Sequence, residues 1–158
     1  HRTERETQSK VKDKFKQVYM KVAKDFADLS HARKLKVGAL IVKDNRIISV
    51  GYNGMPTGWD NECEEAVTEE GEYEAHVWFK TRPEVIHAEM NAIAKVAAST
   101  ESAEGASMFC THTPCTECAK MIVQAGIKEV FVGEVYESDN YQSGETLLEA
   151  SGIRVELA

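Results

Sequence analysis

The chain has 158 residues, a length that suits one core-forming domain, so a single domain over 1–158 is expected. A formal net charge of −7 argues against a general nucleic-acid binder, which needs a basic face, although a local basic pocket for one phosphate is still allowed. No apolar run is long enough to cross a bilayer, and the polar start HRTERETQSK lacks the apolar stretch of a signal peptide, so a cytoplasmic protein is expected.

The first patterned segment is VKDKFKQVYMKVAKDFADLS. Val11, Phe15, Val18, Val22, Phe26 and Leu29 recur at three- and four-residue steps, which predicts an amphipathic helix with a lysine-rich outer face. Two β-rich runs, Val37–Val42 and Ile47–Tyr52, flank the turn-forming pair Asp44-Asn45 and predict a hairpin. NGMPTGWDNECEE reads as a loop, followed by an acidic stretch with a short helix expected around Glu69–Phe79.

HAEMNAIAKVAAST predicts a helix that buries Met90, Ile93, Ala94 and Ala97. ASMFCTH reads as a strand, CTECAKMIVQAG as a helix closed by Gly126, KEVFVGEV as a strand, GETLLEASG as a helix and IRVEL as a last strand. Helices and strands that alternate in this way predict parallel strands with helices packed on the sheet.

Four cysteines are present, and a close Cys-x-x-Cys pair in a cytosolic chain points to metal or redox chemistry before a structural disulfide. His87, Cys115 and Cys118 form a one-His, two-Cys zinc set in which water completes the tetrahedron of a catalytic site. His87 and Cys115 each open a predicted helix, where thiolates are favoured, and Cys118 lies one turn on. Glu89, two residues after His87, can carry a proton between water and a substrate nitrogen. Pro114 suits the strand-to-helix turn before Cys115. Cys110, inside a strand, reads as a small apolar residue, and Cys63 with His76 is not expected to form a second metal site. His112, three residues before Cys115, is the candidate fourth ligand if the zinc is purely structural.

His-Ala-Glu followed one β-α unit later by Pro-Cys-x-x-Cys is the general signature of zinc-dependent base deaminases. At these residues the sequence resembles the cytidine and deoxycytidylate deaminase superfamily. VGALIV with GYNGMPTG, HAEMNAI, and PCTECAKMIVQAGIKEVFV resemble the deoxycytidylate (dCMP) deaminases in particular, over about Val37 to Val132. The resemblance implies a three-layer α/β/α fold with a central mixed five-stranded sheet flanked by helices. It implies hydrolysis of dCMP to dUMP and ammonia, a supply step for thymidylate. Zn²⁺ would be held by His87, Cys115 and Cys118, with Glu89 as proton shuttle. Asn53 would contact the substrate sugar, and Ala88, Thr113 and Pro114 would line the substrate side. Tyr136 and Tyr141, in the loop after VFVGEV, resemble an aromatic flap, and Arg33 and Lys36 of HARKLK are the candidate phosphate donors. The family also implies a homohexamer activated by dCTP and inhibited by dTTP, usually with Mg²⁺. Gly54, Met55, Pro56 and Gly58 would form the effector segment, their glycines letting backbone N–H groups approach phosphates.

Several other readings share the motifs. A relative that accepts dCTP as well as dCMP differs only in its phosphate pocket. A tRNA adenosine deaminase has the same metal signature but must grip RNA, for which an acidic chain is poorly suited. A zinc-stabilised nucleotide-sensing module would have no need of Glu89.

Overall fold

In the computed structural model, residues 9–158 are described; HRTERETQ lies outside them. A helix, α1 (Asp13–Ala27), precedes the hairpin β1 (Gly38–Lys43) and β2 (Arg46–Tyr52). A second hairpin follows, β3 (Glu64–Glu70) and β4 (Ala75–Thr81). Then α2 (Ala88–Ala97), β5 (Ser107–His112), α3 (Thr116–Gln124), β6 (Glu129–Glu134), α4 (Asp139–Ala150) and β7 (Arg154–Leu157) complete the chain.

Five strands form one sheet in the order β2-β1-β5-β6-β7. The expected first hairpin is antiparallel, and Asp44 and Asn45 both take left-handed φ (50° and 60°), as a tight primed turn requires. β1 pairs antiparallel with β5, while β5, β6 and β7 are parallel, as the helix–strand alternation predicted. The sheet is therefore mixed and carries helices on both faces.

Strand alternation divides the core. Leu40, Val42, Phe109 and Phe131 turn one way, against Tyr19, Met20 and Ala23 of α1. Phe109 stacks on Phe131 with centroids 4.5 Å apart. Ile41, Met108, Cys110, Val130 and Val132 turn the other way, against Ala88, Ala92 and Val96 of α2, Ile122 of α3 and Leu148 of α4. Cys110 is fully buried there.

Three expectations change. The α1 seam runs through Phe15, Tyr19, Met20, Val22, Ala23, Phe26 and Ala27, leaving Val18 and Leu29 each 54% exposed. Tyr19 and Met20 reach the sheet in their place, and the Tyr19 hydroxyl donates to Asn45 in the hairpin turn (2.9 Å). On α2 the buried face is Ala88, Glu89, Ala92 and Val96; Ala94 and Ala97 are exposed, and Met90 and Ile93 are only partly covered. The helix expected around Glu69–Phe79 is instead the β3–β4 hairpin, with Val67 opposite Trp78 and Thr68 opposite Val77. β-Branched and aromatic residues cluster at its centre (Val67, Thr68, Val77, Trp78 and Phe79), and that preference outweighs the helix propensity of its glutamates.

Gly51 on β2 lies directly beneath the first turn of α2. A Cβ there would collide with the Ala88 carbonyl oxygen and approach the Ala92 nitrogen to 2.7 Å. The close approach fixes the height of the turn that carries Glu89. Gly51→Ala is expected to destabilise the fold by about 1–3 kcal/mol. That corresponds to a melting point lower by about 2–12 °C in a thermal unfolding scan.

Candidate metal and deaminase site

His87 is the N-cap of α2 and Cys115 the N-cap of α3, both in extended backbone, and Cys118 lies in the first turn of α3. The two helix starts bring three ligand atoms within 4.8 Å of one another. Both sulfurs lie 3.4 Å from His87 Nδ1. Ordinary Zn–S and Zn–N bonds at tetrahedral angles put such atoms about 3.6 Å apart, so the donor set fits zinc. α4 holds this corner from behind. Gly144 presses against the Pro114 carbonyl oxygen and comes so close to Cys115 that a Cβ would stand 2.9 Å from its carbonyl carbon.

The two thiols are electrically coupled. Cys115 is held down to about 4, chiefly by the hydrogen bond from Cys118 and, against the effect of burial, by His87. Cys118 is raised by the same hydrogen bond and by burial. The shifts belong to the pair, and metal binding would displace the thiol protons from both sulfurs. The hydrogen bond to Cys115 raises His87 against the opposing effect of burial. Glu89 is only 3% exposed; burial raises its pKa, while a Cys118 hydrogen bond and the His87 charge oppose that rise.

His87, Glu89 and Cys115 open onto a cavity of about 140 Å³. His87, Ala88, Glu89, Thr113 and Cys115 form one wall, and Leu35, Val37 and Asn53 contribute to another. Asn53 Oδ1 accepts the Val37 N–H (2.9 Å) and its Nδ2 donates to the Leu35 carbonyl (2.7 Å), which fixes that wall. Thr113 Oγ1 accepts the Tyr136 N–H (3.1 Å) and so anchors the rim. Tyr136 stacks on His112 (5.2 Å) and lies 5.0 Å from Tyr141, making an aromatic ladder beside the cavity. Tyr141 belongs to α4, which starts earlier than the sequence pattern implied.

Other expected positions lie elsewhere. His112 turns its Nε2 to Glu134 (3.3 Å) and stands outside the ligand cluster, so it does not supply the fourth ligand of a closed zinc site. Pro114 is fully buried behind the wall, under Gly144. Arg33 turns away to Glu62 (3.3 Å) and to the Phe79 ring, and neither it nor Lys36 lines the cavity. The intervening Lys34 does, together with Glu64, whose carboxylate accepts the backbone N–H groups of Arg33 (2.8 Å) and Lys34 (3.2 Å). Gly54, Met55, Pro56 and Gly58, expected as a separate effector segment, lie off the cavity wall. Gly54 exchanges both backbone hydrogen bonds with Ile86, so its N–H is not free for a phosphate, whereas Gly58 has the left-handed φ of 89°. Sequence reasoning missed Lys34, Glu64, Thr81 and Val85 as lining residues. The only signal for Lys34 was its place in HARKLK, and the other three depended on where the second hairpin folds.

Residues 13–134 match the family model described as the cytidine and deoxycytidylate deaminase zinc-binding region. The chain is similar to human deoxycytidylate deaminase, at 38% identity over 85% of this chain and 74% of that protein. It is similar to ComE operon protein 2 of Bacillus subtilis, at 38% identity over 78% of this chain, and spans 60% of that protein's length. Its fold matches the crystal structure of dCMP deaminase from the cyanophage S-TIM5 in complex with dCMP and dUMP, with a TM-score of 0.79 and 40% identity. That match covers 94% of this chain and 99% of the other. The matched region contains every zinc-ligand candidate and Glu89, and the chain belongs to the cytidine and deoxycytidylate deaminase family.

Proposed function

We propose that the chain is an enzyme that hydrolyses dCMP to dUMP and ammonia, supplying dUMP for thymidylate synthesis. The observation that carries this reading is a buried carboxylate, Glu89, on the wall of a cavity that His87 and Cys115 of the zinc set also line. The names of the human and cyanophage relatives supply the substrate.

His87, Cys115 and Cys118 would hold the zinc, which when bound supplies Lewis-acid activation of water. Glu89 accepts the proton of the attacking water as oxygen adds to C4 of cytosine, and delivers it to ring N3. It then moves the second water proton to the departing amino group, so that one water is consumed and one ammonia released. Burial suits it to this exchange, because a carboxyl with a raised pKa gives and takes protons closer to neutrality.

Asn53 keeps one amide hydrogen and one lone pair beyond its two backbone contacts, enough to meet a sugar hydroxyl. Among the described residues Lys34 is the lysine on the cavity wall, and the substrate phosphate is assigned to it in place of Arg33 or Lys36. Tyr136 and Tyr141 cover the base from the rim. Product analysis after incubation of zinc-loaded protein with dCMP tests the reading: equimolar dUMP and ammonia are expected, and unchanged dCMP would overturn it.

Regulation is proposed on the resemblance of the loop that holds Met55, Pro56 and Gly58, within a homohexamer. With Mg²⁺ present, dCTP is expected to raise dCMP turnover at low substrate and dTTP to lower it, by about 5–150-fold for typical allosteric coupling. Rate curves that neither nucleotide moves would remove this element and leave the chemistry intact.

A further inference from the structure

The β3–β4 hairpin presents an exposed strand, β4, apart from the groups assigned to the reaction. Every residue of β4 is exposed, with Val77 at 64%, Trp78 at 41% and Phe79 at 43%. An isolated two-stranded hairpin is marginal in water. The ladder's ends show which backbone groups it uses. The Gly71 N–H donates to the Glu74 carbonyl (3.0 Å), and the Arg82 N–H to the Cys63 carbonyl (2.8 Å). Between these ends the register runs from Glu64 opposite Thr81 to Glu70 opposite Ala75. Antiparallel hydrogen-bonded pairs recur at every second position, so His76, Trp78 and Lys80 bond inward to β3. The N–H and C=O groups of Ala75, Val77, Phe79 and Thr81 point the other way. Among the described residues no strand pairs with that edge.

Charge separates the two edges of the hairpin. β4 carries no carboxylate, while β3 carries Glu64, Glu65, Glu69 and Glu70. We infer that β4 pairs antiparallel with β4 of a second copy, about a two-fold axis at Trp78, joining two hairpins into one four-stranded sheet. In that register Val77 faces Phe79 of the other copy, His76 faces Lys80, and the two Trp78 side chains meet. All outward backbone groups from Ala75 to Thr81 gain partners, and aromatic and β-branched cross-strand pairs are stabilising. The same operation on β3, centred on Val67, sets Glu65 against Glu69 and Glu64 against Glu70. Like charges directly opposite are destabilising, so that edge is closed to self-pairing. Pairing β3 onto another copy's β4 satisfies charge but continues head to tail without closing. Two-fold pairing stops after one partner, because both remaining edges are acidic. The hairpin's base reaches the cavity through Glu64 and Thr81, so pairing steadies the rim of the site.

The full chain tests this without any ligand. Sedimentation velocity from about 1 to about 100 µM is expected to give an even multiple of the single-chain mass. Residue-resolved hydrogen exchange is expected to show the Val77 and Phe79 amides slowed about 100-fold or more relative to free peptide. Val77→Pro removes an outward N–H and leaves the β3 ladder intact. It should halve the mass and release the Phe79 amide. A monomeric wild-type chain, an open-ended filament, or fast Val77 and Phe79 amides in an oligomer would each overturn the inference. So would a Val77→Pro variant of wild-type mass. If that variant does not fold, wild-type exchange at Val77 and Phe79 decides alone.

Discussion

Glu89→Gln should lower dCMP turnover by about 10²–10⁴-fold, the usual contribution of a positioned acid–base group, while each chain keeps its zinc. Glutamine has the shape of glutamate and fits the same buried position on the first turn of α2. What it cannot do is take a proton from water or return one to N3. The melting temperature should be unchanged or higher, because the variant no longer buries an ionisable carboxyl that is 3% exposed. Zinc content, melting temperature and initial rate on the same preparation separate a lost proton carrier from a lost fold. Turnover within about tenfold of wild type, with zinc retained, would take Glu89 out of the mechanism.

Cys118→Ser should lose both zinc and turnover. The ligand cluster depends on both sulfurs lying 3.4 Å from His87 Nδ1, and serine offers a harder, shorter donor. Removing even an outer-shell partner of a metal ligand typically costs about 10–100-fold in affinity, and losing the ligand itself should cost more. Zinc bound only by the folded chain also stabilises it, by about 4 kcal/mol when its concentration is 1,000 times its dissociation constant. Chelation of the wild type should therefore lower the melting temperature by about 8–16 °C and abolish turnover, with both restored by added Zn²⁺. Zn²⁺ should not rescue Cys118→Ser. Retained zinc and activity in that variant would show that the cluster is not the metal site.

Much of the site was legible because its chemistry is encoded in short segments. His87 and Glu89 share the start of one helix and Cys115 and Cys118 the start of another, so local spacing and the N-terminal positions were enough to assemble them. The first hairpin and the parallel strands followed in the same way from the Asp44-Asn45 turn and the alternation after Ala88, while their union in one mixed five-stranded sheet was implied by the family resemblance. Harder to read was everything decided by packing between distant segments. Val18 and Tyr19 are both helical and apolar enough to face a sheet; only the angle at which α1 lies across Phe109 and Phe131 selects Tyr19. Arg33 and Lys36 looked as suitable as Lys34 for a phosphate, but Glu62, across a loop, draws Arg33 away, and Glu64 ties down the backbone that presents Lys34. The second hairpin was hidden by its glutamates, which read as helix formers in isolation and are strand residues only when Trp78 and Val77 lie opposite Val67 and Thr68.

The measurement that bears most directly on the account is the rate of cytosine absorbance loss on dCMP, compared with CMP, cytidine and dCTP, using zinc-loaded protein. The account predicts rapid turnover of dCMP and far slower loss from cytidine, which lacks the phosphate assigned to Lys34. Equal turnover of dCMP and dCTP would keep the Glu89 chemistry and redraw the phosphate end of the cavity. No turnover of any of the four, with one zinc per chain, would contradict the assignment of this site as a nucleotide deaminase.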